Sequence, residues 1–331
     1  MSIEKFHFAL PEIYQSADEI AIDTKSDPDF IRTKIGLKGR YILGPEETGV
    51  SLSVKACENL FSENPDLKDE IDAVICITQN PDRRIPHNSA IIASQLNLPT
   101  RVAAFDLSLG CSGWIYGIHV AEGFLKSVGL ENCLLITCDP YSKIIAKEDK
   151  DTNSIFGDAA TVTLIKSSGN RSQTIGSIFG SDGSKGNSIE VIGGGASKPL
   201  ILNDGSMISQ LTRDELRLRM NGRAIFNFVM TKVSESIEEC LIKTKLSKHE
   251  IDLYVLHQGS KYMLDSLAKN LSIPDSKLIQ NIDKYGNTVS SSIPLILREL
   301  DEDKKLANKL VLISGFGVGL SWGTSIIKFN F

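Results

Sequence analysis

The chain has 331 residues, 41% of them hydrophobic and 23% charged, with a formal net charge of −5. That composition belongs to a globular protein with room for two ordinary domains, or one large unit that shelters a dry site. The acidic balance argues against a general nucleic-acid or anionic-membrane binder, and no uninterrupted apolar run is long enough to cross a bilayer. The cysteines Cys57, Cys76, Cys111, Cys133, Cys138 and Cys240 form no Cys-x-x-Cys pair and no zinc-spaced cluster, so no metal site is expected. The N-terminus lacks a basic segment followed by a long apolar stretch, and a reducing cytoplasm is the expectation.

Along the chain, strand-like apolar runs alternate with segments of helical period, the pattern of an α/β fold. Asp72 to Ile77 reads as a buried strand, Ser89 to Leu98 as a helix, and Val102 to Leu109 as a second strand. Trp114, Ile118, Ala121 and Leu125 then recur at helical spacing after Cys111. Asn132 to Thr137 is a third strand, and the polar stretch Lys166 to Gln173 is the expected join between two domains, 1–170 and 171–331. The second half repeats this order. Asp252 to Leu256 matches the first strand, Ser260 to Leu271 is helical, Asn287 to Leu300 takes the place of the helix after Cys111, and Lys309 to Ile313 matches the third strand. The expectation is two similar α/β halves packed face to face, with their matching segments meeting at the centre.

Three residues fall at the ends or turns of these matched elements. Cys111 lies between a strand and a helix, flanked by Gly110 and Ser112-Gly113, where the helix dipole favours a thiolate and glycine admits a substrate. His257 ends the corresponding strand of the second half, and Asn287 lies in the turn Tyr285-Gly286-Asn287-Thr288. Taken singly, each has a plain structural explanation: a buried thiol, a satisfied core histidine, a turn asparagine. Jointly they supply a nucleophile, a base or donor, and a polarising partner for acyl chemistry. The glycine-rich run Ser314 to Gly323 exposes backbone N–H groups of the kind an oxyanion hole requires, and its spacing fits neither a dinucleotide fingerprint nor a P-loop.

With these segments, the chain resembles the β-ketoacyl-acyl-carrier-protein synthase III family over nearly its whole length. The segments that carry the likeness are Asp106 to Gly113, Phe156 to Ala160, Gly193-Gly194-Gly195, His257-Gln258, Tyr285 to Thr288 and Gly315 to Gly323. The resemblance implies a thiolase fold, with duplicated α/β halves in a five-layered α-β-α-β-α core. It implies Cys111, His257 and Asn287 as the catalytic set, with an oxyanion hole from the N–H groups of Cys111 and Val318. It further implies that Cys111 accepts an acyl group from acyl-CoA or acyl carrier protein, and that a malonyl thioester then condenses with it and loses carbon dioxide. No metal or redox cofactor is implied. Relatives use a tryptophan and an arginine on the CoA adenine; Phe30 and Lys150 stand there in this chain, with Arg223 beside the same site, and Ile85 and Pro86 fall near the acyl pocket. The implied partners are acyl-CoA, acyl carrier protein and a second copy paired through Val102 to Leu109. The family commonly reads His-Gln-Ala-Asn where this chain has His257-Gln258-Gly259-Ser260. A second reading of the same acyl-cysteine is transfer to a hydroxyl or amine in a specialised pathway. Arg213, Arg217, Arg219 and Arg223 form a local basic group, read either as a carrier-protein rim or as an ordinary solvated helix face.

Overall fold

Strands form where β-branched and small apolar residues run unbroken. In the computed structural model, which describes residues 2–201 and 211–331, all five residues of β2 (Ala73–Ile77) are buried. Around it stand β1 (Ser2–Ala9), β3 (Ala103–Leu107), β4 (Asn132–Cys138) and β5 (Ala160–Lys166), in the order β1-β5-β4-β2-β3. The second sheet takes β6 (Ser172–Ser181), β7 (Leu253–Leu256), β8 (Leu278–Ile279), β9 (Leu310–Gly317) and β10 (Ser321–Phe329), in the order β6-β10-β9-β7-β8. The two orders are one topology written twice. In both, the three strands at one end of the order are parallel, β4-β2-β3 and β9-β7-β8, and the remaining pairs antiparallel.

Helices fill three layers around these sheets. The central layer is α3 (Gly113–Val128) and α7 (Ser292–Glu302), and each touches strands of both sheets. α1 (Gly49–Glu63) and α2 (Asn88–Gln95) cover the outer face of the first sheet. On the second sheet, α5 (Ser234–Thr244) packs against β6 and β10. Beside it lie α4 (Gly222–Phe228) and α6 (Lys261–Leu271). Small residues let the central layer close up: a Cβ at Gly113 or Gly117 of α3 would meet Ile77 side-chain atoms at 2.5 and 2.6 Å. Trp114 is fully buried there and its indole N–H donates to the Thr163 hydroxyl at 3.0 Å, so the largest core side chain leaves no polar atom unpaired. No described helix is long and apolar enough to cross a membrane.

Candidate active site

The duplicated topology brings the ends of matched elements to the seam between the sheets. Cys111 lies between β3 and the start of α3 and is 5% exposed. Its loop is bolted to the β9–β10 turn: the hydroxyls of Ser112 and Ser321 are 2.7 Å apart, and Ser321 donates to the Val318 carbonyl at 2.8 Å. Glycine is required where β9 passes the nucleophile, because a Cβ on Gly317 would lie 2.9 Å from Cys111 Sγ. The N–H groups of Cys111 and Val318 both bear on the sulfur and favour its ionised form. A stronger effect opposes them and the helix dipole: burial, helped by the Asp139 carboxylate, pushes the thiol above its ordinary range. The thiolate expected from the sequence is therefore corrected to a neutral resting thiol.

His257 leaves the end of β7, with its N–H donating to the Ser314 carbonyl at 2.8 Å. Its Nδ1 is 2.8 Å from the Ser292 hydroxyl, which in turn reaches the Val289 carbonyl at 3.1 Å. The Phe316 ring meets it edge-on, 5.5 Å between centroids at 87°. Burial lowers the imidazole to about 3, so the ring is neutral.

Asn287 belongs to the second half but is braced by the first. Its N–H donates to the Ile155 carbonyl and its carbonyl accepts from Gly157, both at 3.0 Å, forming an isolated parallel bridge at Phe156. The segment from residue 153 to 157 is held in turn by Arg40, which is buried and donates to the Phe156 carbonyl at 2.6 Å and to Asn153 Oδ1 at 2.6 Å. The Asn287 side chain has one orientation: Val289 N–H donates to Oδ1 at 2.9 Å, which leaves the Nδ2 donor for the cavity. Val289 achieves this with φ at +53°, a left-handed conformation that a β-branched residue rarely adopts. Its N–H thus orients Asn287, and its carbonyl orients Ser292 behind His257. Nothing in the local sequence signals this joint.

A cavity of about 260 Å³ reaches Cys111, His257 and Asn287 from the surface, with Phe156, Phe316 and Gly317 at its inner end. At its mouth Tyr262 stacks on Phe226 at 5.5 Å, with the Lys34 ammonium 5.9 Å from the Tyr262 ring. Ser260 also lines the cavity, and its hydroxyl caps α6 by accepting from Met263 N–H at 3.2 Å. Its departure from the family's asparagine therefore preserves a helix cap.

Other sequence expectations fare differently. Phe30 and Lys150 come together, but the ammonium lies 4.8 Å over the Phe30 ring itself, so the two stack on each other. Arg223 is exposed, one residue past Gly222 of the cavity wall. Ile85 and Pro86 are not among the residues lining this cavity, and Ile85 is 85% exposed. The four arginines do not share a helix face: Arg213 begins a short 3₁₀ turn, Arg217 pairs with Glu148 at 3.2 Å, Arg219 is in a two-residue strand, and only Arg223 is in α4. Asp139, unremarked in the sequence, is buried beside the site; it accepts from the Ser290 hydroxyl at 2.5 Å and Gln79 N–H at 2.7 Å, and burial raises it to about 6.

Two family models match this chain: 3-oxoacyl-[acyl-carrier-protein] synthase III over residues 105–183, and the C-terminal part of that synthase over residues 241–329. The β-ketoacyl-[acyl-carrier-protein] synthase III of Lactococcus lactis subsp. lactis is 32% identical over 327 residues, 96% of each chain. That of Streptococcus sanguinis is 34% identical over 325 residues, 97% of this chain and 96% of the relative. A crystal structure of a 3-oxoacyl-(acyl-carrier-protein) synthase III superimposes with a TM-score of 0.91 at 30% identity, covering 99% of both chains. The Aquifex aeolicus synthase III gives 0.86 at 28% identity, again over 99% of both. With the repeated five-layer architecture and coverage from end to end, this chain belongs to the 3-oxoacyl-[acyl-carrier-protein] synthase III family, condensing enzymes of the thiolase fold.

Proposed function

We propose that the chain condenses an acyl group held on Cys111 with a malonyl thioester. The observation that carries this is the convergence of Cys111, His257 and the Nδ2 of Asn287 on one largely apolar cavity. In the first half-reaction the sulfur attacks the carbonyl of an acyl thioester. The new S–acyl bond forms as the donor's C–S bond breaks, and the thiol proton passes by way of His257 Nε2 to the departing thiolate. The N–H groups of Cys111 and Val318 hold the oxyanion, a role in which one donor is worth on the order of 10²–10³ in rate.

In the second half-reaction the malonyl thioester oxygen accepts from Asn287 Nδ2 and His257 Nε2. The C–C bond to carbon dioxide breaks into the thioester, giving an enolate. Its carbon attacks the Cys111 thioester, and the C–S bond breaks to release the β-ketoacyl product and a Cys111 thiolate, which takes up one proton from water to regenerate the thiol. His257 needs a lone pair at Nε2 for the first half and an N–H there for the second. With its proton on the Val289 carbonyl, the Ser292 hydroxyl accepts from Nδ1–H and leaves a lone pair at Nε2; turning that proton to Nδ1 supports the Nε2–H tautomer with the ring held still. The thioester carbonyl is the electron sink, and we assign no metal or redox group.

Acyl-CoA and an acyl carrier protein are the proposed donor and acceptor carriers, with Phe30, Lys150 and Arg223 at the rim for the CoA nucleotide, in the cytoplasm. The proposed assembly is a homodimer through β3. That strand is the edge of its sheet, apolar in Ala103, Ala104, Phe105 and Leu107, and every residue of it is half-buried where β2 is wholly buried. Such an edge calls for a partner strand.

Cys111→Ala is the test. It should abolish condensation yet still release carbon dioxide slowly from malonyl carrier protein, while wild type carries an acyl adduct on Cys111 alone. An adduct that survives in Cys111→Ala, or a wild type that acylates but decarboxylates no malonyl thioester, would refute the reading.

A further inference from the structure

Three buried serines in a row follow the Asn287 turn, and each bonds in its own direction. Ser292 reaches the His257 imidazole. Ser291 reaches back into the first half, with its hydroxyl 2.8 Å from Thr137 Oγ1, 3.1 Å from the Thr137 carbonyl and 3.0 Å from the Ala159 carbonyl. Ser290 donates to Asp139 Oδ2 at 2.5 Å. Thr137 lies near the end of β4 and Asp139 directly follows that strand. The turn that carries Asn287 in the second half is therefore seated on the end of a first-half strand.

Asp139 is the charged member of that seat, and it is 1% exposed. Its Oδ1 accepts from Gln79 N–H at 2.7 Å, and the Ser290 N–H and Thr78 hydroxyl bear on the same carboxylate. Hydrogen bonds to an ionised acceptor are the strong ones in such a network. The peptide between Val289 and Ser290 is gripped on both sides, since its N–H faces Asp139 and its carbonyl accepts from Ser292. The Val289 N–H, on the other side of the same Cα, donates to Asn287 Oδ1 and so aims Nδ2. Val289 holds φ at +53°, a conformation that a β-branched residue keeps only where its surroundings impose it. His257 has anchors of its own in the Ser314 carbonyl and the Phe316 ring, and Cys111 is fixed by the Ser112–Ser321 pair and β9.

We propose that Asp139 is a positioning residue for the decarboxylation half-reaction: through Ser290 it fixes Val289 in the left-handed conformation that aims Asn287 Nδ2 at the malonyl oxygen. The inference rests on the condensation reading. It separates the two half-reactions, because the contacts that hold Cys111 for acylation do not pass through Ser290. A misplacement of about 1 Å at a reacting group costs on the order of 10²-fold in rate, so a turn that relaxes partway should cost decarboxylation about 10-fold or more.

The experiment measures carbon dioxide release from malonyl carrier protein and single-turnover acylation of Cys111 by acetyl-CoA, with thermal melting of the same samples. Ser290→Ala and Asp139→Asn should each slow decarboxylation by about 10–10²-fold while acylation stays within about threefold of wild type. In an Asn287→Ala background, Ser290→Ala should cost no more than about threefold further, because it acts through a side chain already removed. Ser290→Ala deletes one hydroxyl and keeps the carboxylate, so it secures the comparison if Asp139→Asn fails to fold. Folded Ser290→Ala that decarboxylates within about threefold of wild type overturns the proposal. Equal losses in the two half-reactions overturn it too, as does a loss as large in the Asn287→Ala background as in wild type. A wild type that acylates Cys111 but releases carbon dioxide from no malonyl thioester overturns the condensation reading itself, and is told apart because it fails before any variant is compared.

Discussion

Gly317→Ala places a methyl group directly against the nucleophile. The added Cβ would stand 2.9 Å from Cys111 Sγ and 3.0 Å from its Cβ. Heavy atoms in ordinary contact are about 3.5–4.0 Å apart, so the thiol has to retreat by about 0.6–1 Å. The Ser112–Ser321 hydroxyl pair and the buried Trp114 hold the backbone on either side of Cys111, so the side chain rather than the loop absorbs the shift. A misplacement of about 1 Å at a reacting atom costs on the order of 10²-fold in rate, and overpacking costs about 1–3 kcal/mol of stability. The assay is single-turnover acylation of Cys111 by acetyl-CoA, beside thermal melting of the same samples. Gly183→Ala is the control, since a Cβ there meets nothing within 4 Å. Acylation of Gly317→Ala within about threefold of wild type would refute the claim that β9 needs glycine to clear the nucleophile.

Four further outcomes follow from the site and its supports. Asn287→Ala removes a donor aimed at the malonyl oxygen, so decarboxylation should fall by about 10²–10³ while Cys111 still acylates; equal losses in both half-reactions would contradict the separation of roles. Alkylation of Cys111 by iodoacetamide should climb without a plateau through pH 9, because burial raises the thiol and His257, neutral above about 3, supplies no imidazolium to stabilise a thiolate; a plateau below pH 8 would contradict it. The same depressed imidazole makes His257 a source of acid sensitivity. Stability that it contributes is complete above its ordinary 6.5 and is lost as pH falls toward 3, so His257→Gln should flatten the acid limb of a urea-midpoint profile in that window. Arg40→Met strands the Phe156 carbonyl and Asn153 Oδ1, at about 1–3 kcal/mol for each buried acceptor left unpaired, so urea denaturation should show a loss of about 2–6 kcal/mol, and a loss under about 1 kcal/mol would show the guanidinium to be dispensable.

The repeat and the position of Cys111 were legible because each rests on local pattern. Apolar runs bounded by turn residues mark the strands, and Gly110-Cys111-Ser112-Gly113 marks the strand-to-helix turn. What escaped the sequence is what depends on contacts across the seam. Val289 reads as an ordinary apolar residue, yet its left-handed backbone ties Asn287 to Ser292. Burial of Cys111 outweighs the helix dipole, and no local pattern weighs one against the other. Phe30 and Lys150 stand 120 positions apart, and only the fold sets the ammonium over the ring. The arginine spacing from 213 to 223 suggested one helix, whereas Asn221 and Gly222 start α4 late and divide the group.

The repeated strand order also separates two properties along the chain. Thr78-Gln79 leaves β2 as His257-Gln258 leaves β7, so equivalent exits from the two halves carry different duties. In the second half the exit holds the buried His257 imidazole against Ser292. In the first it holds Gln79, whose N–H donates to Asp139 and whose Oε1 accepts from the Tyr141 hydroxyl. A duplicated fold of this kind lets one backbone exit, used twice, present a half-buried amide in one half and a buried imidazole in the other.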